Sequence, residues 1–146
     1  MIFLNKIEEY FNSICEVGEI TKRVFYLTEE GEISEYVNDI STEDMPFLMV
    51  IIPQYISKKG SNADNYQEVA KFLCYVLSKE DNFNFTTFEI QKELQKNINL
   101  LKEHIIKTSQ SCHWLNGLEV DSFEIQPENK LFSQLTGWSI SFDVNG

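Results

Sequence analysis

Leu135-Thr136-Gly137-Trp138-Ser139-Ile140-Ser141-Phe142-Asp143-Val144 decides how the rest of the chain must fold. From Trp138 onward, large apolar residues alternate with small polar ones. In a β-strand, successive side chains point to opposite faces of the sheet. Trp138, Ile140, Phe142 and Val144 therefore form one apolar face, and Ser139, Ser141 and Asp143 the other. Such a strand belongs inside a sheet, with its apolar face under a helix. Its small polar face is then expected to be open to solvent or to a channel.

Upstream sequence supplies the helix. Thr86-Thr87-Phe88-Glu89 matches a capping box, in which the Thr side chain and the Glu three residues later satisfy free amides. Ile90, Leu94, Ile98, Leu101 and Ile105 then recur at spacings of three and four, which predicts a helix over 87–108. Phe85 is placed to staple onto it. A strand is expected over 119–126, where the parity shift between Val120 and Phe123 implies a bulge. Pro127-Glu128-Asn129-Lys130 reads as the turn before the closing strand.

The first half completes the set. Phe3, Ile7, Tyr10, Phe11 and Ile14 predict an amphipathic helix over 2–16, stopped at Gly18. Val24, Phe25, Tyr26 and Leu27 predict a strand over 23–28. The stretch 28–45 carries seven acidic residues and no Lys or Arg, so it reads as a loop or loosely structured connection. Pro46-Phe47-Leu48-Met49-Val50-Ile51-Ile52-Pro53 is the most hydrophobic run. Prolines at both ends hold it to about six residues, the usual length of a strand. Its two apolar faces imply burial on both sides, or a helix on one and a partner on the other. After the polar stretch 58–65, residues 66–78 show both a helical stripe and strand-forming residues. A strand hairpinned to 47–52 is the reading adopted.

The order is helix, strand, acidic loop, strand, strand, helix, strand, strand. One α+β domain over 1–146 satisfies it: a mostly antiparallel sheet of about four to five strands with two helices packed on one face.

Charge and cysteine usage limit the function. The chain of 146 residues has 23 acidic and 12 basic residues, a net charge of -11. No basic cluster exists to hold phosphates, which argues against gripping DNA or an anionic membrane. Cys15, Cys74 and Cys112 are widely spaced and odd in number, as expected of buried free thiols in a reducing compartment. Met1-Ile2-Phe3-Leu4 is too short for a signal peptide or a spanning helix, so a soluble cytoplasmic protein is expected.

Motifs for chemistry are weak. His104, Cys112 and His113 have no metal-ligand spacing, and adjacent Cys112 and His113 point apart in a strand. No nucleophile elbow or phosphate-binding glycine pattern is present. No catalytic residue, metal or cofactor is assigned. The pairs Glu29-Glu30 and Glu43-Asp44 suit a solvated acidic surface better than a cation site. A carboxylate-based enzyme has only the abundance of Asp and Glu in its favour. Phe47, Met49, Ile51, Phe83 and Trp114 are the candidate oligomer or partner interface, because apolar and aromatic side chains anchor interfaces. Trp138 reads as core.

Three stretches, "IFLNKIEEYFNSI", "MPFLMVIIP" and "LTGWSISFDV", in this order of elements, resemble phage tail-terminator (tail-completion) proteins. The resemblance implies a non-enzymatic ring subunit, typically hexameric, that caps the tail tube at the neck. It implies copies of itself and tail-tube or neck proteins as partners, no sequence-specific nucleic-acid contact and no membrane. It also implies a location in the bacterial host cytoplasm and then the virion. An acidic inner surface would let DNA pass without adhering. The alternative is a small acidic binding or inhibitor module that masks a basic protein partner.

Overall fold

The computed structural model describes residues 1–58, 67–79, 86–131 and 134–146. Its elements are helix α1 (Leu4–Val17), strand β1 (Arg23–Leu27), strand β2 (Phe47–Lys58), strand β3 (Gln67–Lys79), helix α2 (Thr87–Ser109), strand β4 (Leu118–Leu131) and strand β5 (Leu135–Asn145). The five strands form one sheet in the order β1-β2-β3-β5-β4. β1 runs parallel to β2, and every other pairing is antiparallel. The fold is α+β, with both helices on one face. Phe83 and Phe85 lie outside the described residues.

The two helices form where their apolar stripes demand it. Ile7, Tyr10, Phe11 and Ile14 of α1 are buried, and Gly18 ends the helix in the left-handed region at φ 76°. Ile90, Leu94, Ile98, Leu101 and Ile105 of α2 are all buried. Thr86 accepts from the Glu89 amide at 3.2 Å and its own amide donates to the Glu89 carboxylate at 3.3 Å, completing the capping box. The core beneath them gathers Leu48 and Val50 of β2, Phe72, Cys74 and Val76 of β3, and Ile140, Phe142 and Val144 of β5. β5 thus sits inside the sheet, apolar face toward α2, and the Trp138 indole donates to the Gln91 carbonyl at 2.8 Å.

Two boundaries differ from expectation. β2 continues through Pro53 to Lys58. A bulge between Ile51 and Gln54 sets two β2 residues against one of β3, so the amide that Pro53 lacks is not needed by the ladder. β4 likewise runs through Pro127, where a turn was expected. β4 is an edge strand, bonded to β5 alone among the described residues, and a proline is tolerated there. The irregularity foreseen near Val120 is real: Val120–Phe123 bulge out between the pairs Glu119–Asp143 and Glu124–Ser141. The Ser122 hydroxyl closes the bulge, donating to the Glu119 carbonyl at 2.5 Å and accepting from the Asp143 amide at 2.8 Å.

The largest departure is the acidic stretch 28–45. It is an ordered cover built of short 3-10 turns at Glu30–Glu35, Val37–Asp39 and Thr42–Asp44. Ile33, Val37 and Ile40 are buried against Phe25, Leu27, Phe47, Met49, Tyr75 and Leu77 in a second core. Glu29, Glu35, Asp39 and Glu43 stay exposed. Phe47–Val50 of the double-sided run are therefore enclosed on both sides by this same chain, while Ile51 is half-buried and Ile52 exposed. Hydrophobic burial outweighs charge here because these four acidic side chains stay in water.

Candidate functional site

The sheet face opposite the helices changes character from one side to the other. Register makes this explicit. Leu27, Ile51, Leu73, Ser141 and Glu124 form one row across the five strands. Phe25, Met49, Tyr75, Ser139 and Gln126 form the next. Both rows run from apolar on β1, β2 and β3 to polar on β5 and β4. The 28–45 segment covers the apolar half. No described element covers the polar half, where two adjoining clefts of about 330 and 360 Å³ share Glu124 and Ser141.

This polar trough is lined with carboxylates. Asp121, Glu124, Glu128 and Asp143 line it, and Lys71 is its single basic residue among those described. Lys71 lies 3.4 Å from both oxygens of Asp143. The Ser139 hydroxyl donates to the Glu128 carboxylate at 2.9 Å. Leu73 and Tyr75 give the floor an apolar strip. The arrangement offers a solvated, net negative surface with short side chains down its middle. Like-charged polymers are repelled by such a surface, whereas cations and basic chains are attracted.

The residues singled out from the sequence fall in different places. Ser139, Ser141 and Asp143 share the trough; Ser141 and Asp143 are half-buried, while Ser139 is only 6% exposed under its bond to Glu128. Ile51 is half-buried at the margin of the second core. Phe47 and Met49 are fully buried beneath the 28–45 cover. They cannot touch a partner in this conformation, and their role as an interface is corrected to core. Trp114 is half-buried, edge-on to Tyr10 at 5.4 Å and tilted over Phe72 at 5.8 Å.

Some polar residues with structural work were not evident from the sequence. Asn97 is buried on α2 and donates to the Ile20 carbonyl at 2.8 Å, tying α2 to the chain after α1. At the seam between the helices, the Tyr10 hydroxyl lies 2.9 Å from His104 Nδ1. Burial raises the Tyr10 pKa, so the phenol keeps its proton. Burial and then the Lys107 charge lower the His104 pKa. Cys74 is fully buried and its thiol is pushed up by desolvation, while Cys15 and Cys112 are half-buried; all three are free. Asp44 is held below the usual carboxylate range by the Ser41 amide and then by Arg23, at 3.1 Å.

Among the described residues, no group of three or more His, Cys, Asp or Glu side chains converges as a metal would require, and no helix is long and apolar enough to cross a membrane. Comparison with models of known families and with curated proteins gave no match to this chain.

Proposed function

We propose that this chain is a non-enzymatic structural protein that closes into a ring with copies of itself, in the manner of phage tail-terminator subunits. One observation carries the reading: the sheet face away from the helices is sealed by the chain's own 28–45 segment on its apolar half and left open, polar and acidic on the other. A ring that passes DNA needs an inner wall that repels phosphate and presents no large side chain to catch on. Glu124 and Asp143 supply the negative charge of such a wall, and Ser141 between them a small side chain. In the ring they line the channel, tail-tube or neck proteins contact its rims, and the site of action is the virion after assembly in the bacterial cytoplasm. Size-exclusion chromatography with light scattering at rising concentration tests this. A mass near a ring of about six copies is expected. A strict monomer at high concentration, with no rings in negative stain, would count against it.

A second reading draws on the same trough. Four carboxylates against Lys71 alone also fit a module that masks a basic protein partner. Pull-down from host extract separates the two. One basic protein, recovered at low salt and lost at high salt by a monomeric bait, favours masking. Recovery of nothing salt-sensitive by a ring-forming bait favours the ring.

A further inference from the structure

We draw no further inference here: the strongest candidate, the row of carboxylates Asp121, Glu124, Glu128 and Asp143 along the open half of the sheet, belongs to the site already described, and nothing in the structure shows what covers it.

Discussion

Gly137 shows how tightly β5 is set into the sheet. A Cβ built on it would collide with the Val76 carbonyl on β3. Gly31, in the 28–45 cover, has nothing within 4 Å of the same position. Gly137→Ala is therefore expected to cost at least about 1–3 kcal/mol through overpacking against backbone, and Gly31→Ala to be near neutral; urea denaturation of the two variants measures both. His104 sets a pH dependence. Its folded-state pKa lies below the ordinary value, so the unfolded chain binds more protons. Stability is present above about pH 6.5 and is lost as the pH falls below it. Asp44 adds loss at lower pH, because its folded-state pKa is also depressed. Between about pH 7.5 and about pH 5.5, the wild type should lose more stability than His104→Gln, since only the wild type has an imidazole at position 104 to protonate. Equal losses would mean that His104 is not the responsible group. Neither feature could be read from the sequence. The Gly137 collision depends on which backbone lies beside it, and the Tyr10–His104 contact joins residues 94 positions apart.

The 28–45 segment is the element that converts a helix-backed sheet into one with two cores. Ile33 and Val37 carry the cover, so Ile33→Ala and Val37→Ala should each lower the stability by roughly 2–5 kcal/mol, the cost of truncating a buried aliphatic side chain. Glu35→Ala, on the exposed side, should change it by less than about 0.5 kcal/mol. Thermal or urea unfolding checks the contrast, and a similar small loss for all three would show that the cover is not packed. The spacing of Ile33, Val37 and Ile40 at four and three was present in the sequence as a helical signal. The seven acidic residues around it mask that signal, because charge at this density reads as a solvated loop. The strands taught a similar lesson. Pro53 and Pro127 both looked like terminators, yet one sits in a bulge and the other on an edge, and neither context is visible from local sequence. The capping box and the stripe of α2 were legible because their partners lie within one helix. The alternation in β5 was legible because a strand inside the sheet carries its own two-faced pattern.

For the whole molecule, the two-sided sheet is what gives the acidic charge a place. Ser139, Ser141 and Asp143 were readable as a polar face from alternation alone. Their neighbours Glu124, Gln126 and Glu128 were not, because the bulge at Val120–Phe123 breaks the parity of β4 and hides which of its residues share that face. Reversing the field tests what the face does. A Glu124→Lys, Gln126→Lys, Ser141→Lys variant should retain duplex DNA that the wild type lets pass, and added salt should release it. An equal lack of DNA binding in both, with the variant still folded, would separate this face from any channel. The most direct measurement is an electron-microscopy reconstruction of the assembled protein. It should show a closed ring with Ser141, Glu124 and Asp143 lining the central hole. A reconstruction in which that trough lies on the outer wall or is buried between subunits, or a sample that holds no ring at all, would contradict the account.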